Sequence, residues 1–195
     1  MEETGKLKFT GHLLIQDAVT GETVIDKSNA IHFENASLAI AQSLCRKPAG
    51  PIRSMAFGNG GSTLSGVGTV TYFSPNTTGA SSTLYNQTYS KIVNDQDSNN
   101  IDPIKNKLTV SHVNGNLFSD IIINCTLEYG EPLGQGAIDN TTNINSDFVF
   151  DEIGIIAYDN AGQDGQLITH VIFSPVEKST NRSFVITYTI RCQLV

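Results

Sequence analysis

Between residues 182 and 194 the chain alternates without a break. Phe184, Ile186, Tyr188, Ile190, Cys192 and Leu194 fall on one face, and Ser183, Val185, Thr187, Thr189, Arg191 and Gln193 on the other. A period of two puts successive side chains on opposite faces of a strand, and no helix could gather this apolar set on one side. One apolar and one polar face define a half-buried antiparallel strand with a core on one side only. Ile121, Ile123, Cys125, Leu127 and Tyr129 repeat the pattern upstream. A sheet with one buried face is therefore the frame into which the rest of the chain must fit.

The remaining segments suit that frame. Strand-like runs occupy 107–113, 117–129, 148–158 and 167–173, with short connections at Asn114-Gly115-Asn116 and 159–166. Residues 6–29 predict a hairpin, its arms 8–15 and 23–26 joined through 17–22, where Gly21 can supply a positive φ. One helix is expected after it. Asn35 is placed to cap its N-terminus, and Ala36, Ile40 and Leu44 recur every four residues, with Leu38 and Ala41 beside them. Lys47-Pro48-Ala49-Gly50-Pro51 ends it, because proline cannot continue the ladder. About three turns are too few to stand alone, so the apolar stripe should pack on a sheet. Then 52–57 reads as a strand running into Gly58-Asn59-Gly60-Gly61. In the polar region 62–106 only 70–73 and 84–93 read as ordered. A second long polar stretch, 130–147, is 18 residues of mostly Gly, Asn, Asp and Thr, a length usually functional or ordered by a partner. The 17 glycines and a charged fraction of 16%, against about 25% in average domains, fit many turns between strands. With no internal repeat or linker, 1–195 reads as one mainly β domain: antiparallel, β-sandwich-like, with one short helix packed on a sheet and long polar loops.

Charge excludes some partners. Twelve Lys and Arg against 19 Asp and Glu give a net charge of −7. With no basic run, phosphate binding has little to draw on, so no nucleic-acid partner is expected. No apolar run approaches the roughly 20 residues of a membrane span, so no membrane partner is expected either. The acidic start Met1-Glu2-Glu3 is unlike a secretory signal, which points to synthesis in a cytoplasm. There, six Asn-x-Ser/Thr triplets read as chance and Cys45, Cys125 and Cys192 as free thiols, the latter two buried and inert.

Catalytic patterns are absent. The sequence contains no Cys-x-x-Cys, His-Glu-x-x-His, Gly-x-Ser-x-Gly or P-loop. His12, His32, His112 and His170 are isolated and read as structural. Gly58-Asn59-Gly60-Gly61 follows a strand as phosphate loops do, but no helix or Lys follows it, so a flexible turn is the simpler reading. Asp95, Asp97 and Asn99 match the first positions of an EF-hand loop, yet Asn100 replaces the turn Gly and Asn106 the bidentate Glu. The stretch 159–165 reads as a hairpin turn. Asp151 and Glu152 are adjacent on a strand, point to opposite faces and cannot act as a dyad. No catalytic, cofactor-binding or metal-ligating residue is assigned, and the chain is read as a non-enzyme without a cofactor.

Four segments carry a resemblance. Met55-Ala56-Phe57-Gly58-Asn59-Gly60-Gly61 resembles the M-A-x-G-x-G segment in the N-terminal modules of tail-collar and tail-fibre proteins of tailed bacteriophages. Leu84-Tyr85-Asn86-Gln87-Thr88-Tyr89 is similar to the L-x-N-x-x-Y segment that follows there. Glu152-Ile153-Gly154-Ile155, with Gly165-Gln166-Leu167, resembles the E-I-G strand and its return. Lys178-Ser179-Thr180-Asn181-Arg182, with Ile186, Tyr188 and Ile190, resembles the terminal K-S-x-x-R segment. The resemblance implies a collar-like β-sandwich over 51–195, preceded by a hairpin and helix over 1–50 that the short module lacks. The receptor-binding fibre that usually follows is missing after Val195. It implies a non-enzymatic structural subunit of the virion, made in the bacterial cytoplasm. Such a subunit docks on tail, neck, baseplate or capsid surface through loops and sheet edges. Its partners would be other virion proteins and copies of itself, as a homo-oligomer in the particle, with 62–106 and 130–147 as contact segments. Two alternatives stand beside it: a capsid decoration protein, or a carbohydrate-binding β-sandwich using Tyr72, Phe73, Tyr85 and Tyr89 in place of the absent Trp.

Overall fold

The structure, a computed structural model, describes residues 5–66, 68–135 and 146–195. In chain order the elements are β1 (Leu7–Asp17), β2 (Thr23–Ile31), α1 (Phe33–Leu44), β3 (Ile52–Gly58), β4 (Ser62–Leu64) and β5 (Val70–Tyr72). They are followed by β6 (Gln87–Ile92), β7 (Lys107–Ser111), β8 (Phe118–Leu127), β9 (Val149–Tyr158), β10 (Asp164–Glu177) and β11 (Phe184–Leu194). Nine strands form one antiparallel sheet in the order β6-β3-β9-β10-β2-β1-β11-β8-β7, and β4 pairs with β5 in a small second sheet. The protein is mainly β with one short helix, as the alternation predicts.

The large sheet turns back on itself at β2. Residues up to Asn29 pair with β1, whereas Ala30 and Ile31 pair with His170 and Thr169 of β10. A strand that changes partners along its length makes the corner of a sandwich without a break in hydrogen bonding. Inner faces of the two halves then meet in one core. Leu13, Ile15, Ile123, Ile186 and Tyr188 come from one half, and Met55, Phe57, Ile153, Ile155, Val171 and Phe173 from the other. In β11 the alternation is realised from Phe184 to Ile190, all buried. Beyond it Cys192 is only half-buried and Leu194 exposed, which corrects the expectation of a buried Cys192: the strand outruns the core.

The helix differs in detail from its expected pattern. His32 caps it through Nδ1, which accepts from the Asn35 amide at 3.2 Å. Asn35 lies inside the helix, where its Nδ2 donates to the Leu167 carbonyl at 3.0 Å. The buried face is Asn35, Ala36 and Ala39, while Leu44 is 81% exposed. Close approach explains the small residues. Gly50, at φ 114°, brings the returning chain so near that a Cβ there would lie 2.7 Å from the Ala39 carbonyl oxygen. The small sheet is a further difference, since 62–64 did not read as a strand. The hairpin of residues 1–50 sits between β10 and β11, in the middle of the large sheet.

Candidate functional site

Polar chemistry in this fold concentrates where β9 passes the loop after β3. Asp151 and Glu152 do point to opposite sides, and both are met by the glycine loop. Gly61 N–H donates to Asp151 Oδ1 at 2.9 Å and Ser62 Oγ to its Oδ2 at 2.5 Å. Glu152 Oε1 accepts from the amides of Gly60 (3.1 Å) and Asn86 (2.8 Å). Its Oε2 accepts from the Tyr85 amide and from His170 Nε2, both at 2.9 Å. A Cβ at Gly60 would lie 2.6 Å from the Asn86 nitrogen, so only glycine lets the loop close on Glu152. The glycine loop thus holds anions, but they are the protein's own carboxylates.

These environments push the two carboxyls apart. Burial raises Asp151 above the ordinary carboxylate value, partly offset by the Ser62 and Gly61 bonds. Burial acts on Glu152 in the same sense but is outweighed by His170 and the Asn86 and Tyr85 amides, which hold it below the ordinary value. Every acceptor position of Glu152 that points inward is filled, so the residue clamps three chain segments together and presents nothing to a substrate. Gly60, Tyr85-Asn86 and Glu152 belong to three of the four segments on which the resemblance rests. In space they are one hydrogen-bonded unit.

The fourth segment contributes a second buried charge site. Lys178 Nζ donates to Gln135 Oε1 and to the Ser179 carbonyl, each at 3.1 Å. Burial pulls its amine down to about 8. Nearby, Lys91 Nζ donates to the Thr126 carbonyl at 2.7 Å and pairs with Glu131. The stretch 130–147 expected as a contact loop is tied inward by the Glu131 and Gln135 side chains, with Leu133 between them exposed; its residues 136–145 lie outside the described ones.

Other sequence candidates resolve into structural roles. Asp95 accepts from the Leu108 amide at 3.2 Å. Asp97 accepts from the Asn99 amide (2.9 Å) and Tyr158 hydroxyl (2.8 Å) and faces Arg53 Nε at 3.4 Å. Arg53 also pairs with Asp164 at 2.6 Å. Among the described residues no group of three or more His, Cys, Asp or Glu is placed to hold a metal ion. The stretch 159–165 forms the β9–β10 turn over 159–163 and enters β10 at Asp164, with Asp159 Oδ1 accepting from the amides of Ala161 and Gln163. His12 pairs with Asp26 at the surface, and His112 lies on the Phe118 carbonyl and Ser119. His32 and His170 are fully buried and both bond the loop between β5 and β6, whereas His12 and His112 lie at the surface. Burial pushes the Cys125 thiol up to about 12; Cys45 is exposed.

Sequence reading missed the pairing of His170 with Glu152. A signal existed. A turn at 159–163 pairs Tyr158 with Asp164 and, carried along the ladder, sets His170 opposite Glu152; register shifts move the actual partner to Ile172 and leave His170 as the diagonal neighbour on the same face.

Outward-facing features are of two kinds. Tyr72, Phe73 and Tyr85 are exposed on one surface, with the Phe73 and Tyr85 ring centroids 5.3 Å apart and Lys27 Nζ 5.8 Å from the Tyr72 centroid. Tyr89, the fourth sugar-platform candidate, instead packs against Phe57 at 5.9 Å. Between α1 and the β7–β8–β11 end of the sandwich lies an apolar cavity of about 370 Å³, rimmed by Leu44 and Val110. No helix among the described residues is long and apolar enough to cross a membrane. No protein-family model, curated protein or solved structure matches the chain.

Proposed function

We propose that this chain is a non-enzymatic structural subunit of a tailed-phage virion, docking on the particle through sheet edges and loops. One observation carries the reading: residues from three of the four collar-like segments meet in a single buried unit around Glu152. That convergence gives the resemblance a shared physical cause, a glycine loop closed on a strand carboxylate. Exposed apolar side chains also sit on the edge strand β7 and just beyond it, with Val110 at 71% and Val113 at 64%. An unpaired edge carrying apolar side chains favours coverage by a neighbour. In this reading the partners are other virion proteins and copies of the same chain.

Immunogold labelling of intact particles with antibodies to the purified protein tests the proposal. Discrete label at neck, tail or baseplate, or an even coat on the head, is the expected result. The even coat identifies a decoration protein. Particles that carry no label, while the protein is present in the lysate, overturn it.

The cluster of Tyr72, Phe73 and Tyr85 favours a second reading, binding of host glycans on an aromatic surface. Saturable binding of the isolated protein to a glycan array, lost in Phe73→Ala, would support it. An array without signal would remove it.

A further inference from the structure

Residues 74–85 lie between β5 and β6 and contain no helix or strand. Among the described residues, every hydrogen bond from this segment to the rest of the chain ends on a titratable side chain. The Asn76 amide donates to His170 Nδ1 at 2.7 Å. His32 Nε2 donates to the Gly79 carbonyl at 3.0 Å and lies 3.2 Å from Ser82 Oγ. The Tyr85 amide donates to Glu152 at 2.9 Å. The segment's other bonds, such as Asn76 Nδ2 to the Thr83 carbonyl and Tyr85 hydroxyl to the Ser74 carbonyl, stay within it.

The two rings are placed for the same neutral tautomer. Each is fully buried, and each uses Nδ1 to accept a main-chain amide: Asn76 for His170, Asn35 for His32. Nε2 must then carry the single proton, which His170 gives to Glu152 and His32 to Gly79. A second proton can bind only at Nδ1, where it would face an N–H donor.

We propose that residues 74–83 are an acid-released flap hinged at Tyr85 on Glu152, latched while His32 and His170 are neutral and freed when the rings take a second proton. The groups facing each ring set the direction. His170 faces Glu152 of β9 and, from the hinge, the Tyr85 ring at 5.7 Å; across the ladder its neighbours are Gly154 and Ala30. Protonated His170 therefore keeps its bond to the Glu152 carboxylate and loses only Asn76. The His32 ring meets the Asn35 amide of α1 and Gly79 and Ser82 of the flap, while its main-chain N–H donates to the Ile168 carbonyl of β10. None of these described contacts is charged, so nothing there holds a protonated ring.

Nuclear magnetic resonance on the ¹⁵N-labelled protein, between about pH 7.5 and about pH 5, tests this directly. Ring nitrogen shifts report tautomer and protonation, and amide exchange corrected for its intrinsic pH dependence reports release. Expected are Nε2–H tautomers for both rings at the upper pH. As the rings protonate, protection at Asn76 should fall by more than about tenfold, while Tyr85, held on the Glu152 carboxylate, and Ile186 stay protected. The His32→Gln and His170→Gln variants should show a reduced pH response. Protonated rings with Asn76 still protected would overturn the proposal. So would an Nδ1–H tautomer, or loss of Asn76 and Ile186 together. These three outcomes are read on the wild-type protein, so a variant that fails to fold leaves the test intact.

Discussion

Glu152 is fully buried and accepts from four donors, two at each oxygen. Glu152→Gln keeps the shape but turns an NH₂ group toward two of those donors, whichever way the amide is placed. Leaving two buried donors unpaired costs about 3 kcal/mol, which for a domain of this size lowers Tm by roughly 6–12 °C. Asp151→Asn differs, because Ser62 can rotate its hydroxyl to accept and Gly61 still finds an oxygen; its cost should stay below about 1 kcal/mol. Calorimetry on the two variants at neutral pH checks the contrast. The signs of linkage also oppose. Glu152, lowered in the fold, contributes stability above its unfolded value that is lost as pH falls through its folded one. Asp151, raised, contributes stability at low pH that is lost as pH rises through its folded value. Lys178 gives a third test. Its amine sits at about 8 in the fold, so between there and its unfolded value near 10.5 the unfolded chain holds more protons and stability rises with pH. The difference in urea midpoint between wild type and Lys178→Met should therefore shift in favour of wild type from about pH 8 to about pH 10. A difference that stays flat across that range would show the amine is not titrating in the fold. Of all this, the opposite facing of residues 151 and 152 was legible in the sequence, and the hairpin register offered a route to His170 alone. The donors to Glu152 come from residues 60, 85, 86 and 170, and nothing local connects them.

Period-two runs predicted most of the strands because burial on one face writes itself into every second residue, as in β11 and β8. The helix was found for the same kind of reason, but its buried face is offset from the expected stripe, with Ala36 buried, Ile40 half-buried and Leu44 exposed. A stripe through Ile40 and Leu44 is the larger apolar surface, yet α1 packs on β10 through Asn35, Ala36 and Ala39. There the neighbouring chain comes too close for large side chains, and a polar Asn finds a carbonyl to bond. Propensity and periodicity cannot register a neighbour's distance. The consequence at this scale is a reversed substitution profile. Leu44→Ser, at an exposed position, should change stability by less than about 0.5 kcal/mol. Ala39→Leu, forced against the chain around Gly50, should destabilise by about 1–3 kcal/mol through overpacking. Chemical denaturation of both variants reads the two values. A destabilising Leu44→Ser with a neutral Ala39→Leu would restore the stripe as the packed face.

Sheet order decides which parts of the chain can stand alone. The collar-like segments all fall within 51–195, which invites treating residues 1–50 as an addition to a finished module. The topology opposes that division, because among the described residues β2 and β1 are the strands that link β10 to β11 in the large sheet. Without them, β6-β3-β9-β10 and β11-β8-β7 are two sheets with no shared ladder. Each gains a long unpaired edge, eleven residues of it on β11 alone. The core also loses Leu13, Ile15 and Ile31, together with Ala36 and Ala39 of the helix. Burying each of the three large side chains contributes roughly 1.5–3 kcal/mol, so their loss alone approaches the roughly 5–15 kcal/mol that holds a typical domain together. Expressed by itself, 51–195 should therefore lack dispersed amide resonances and a cooperative thermal transition, while the full chain shows both. If 51–195 instead unfolds cooperatively, the collar-like part is an independent module and the hairpin an accessory. If it stays unfolded, the two N-terminal strands are integral to the sandwich, and any surface that meets a neighbouring subunit is built on a sheet they complete.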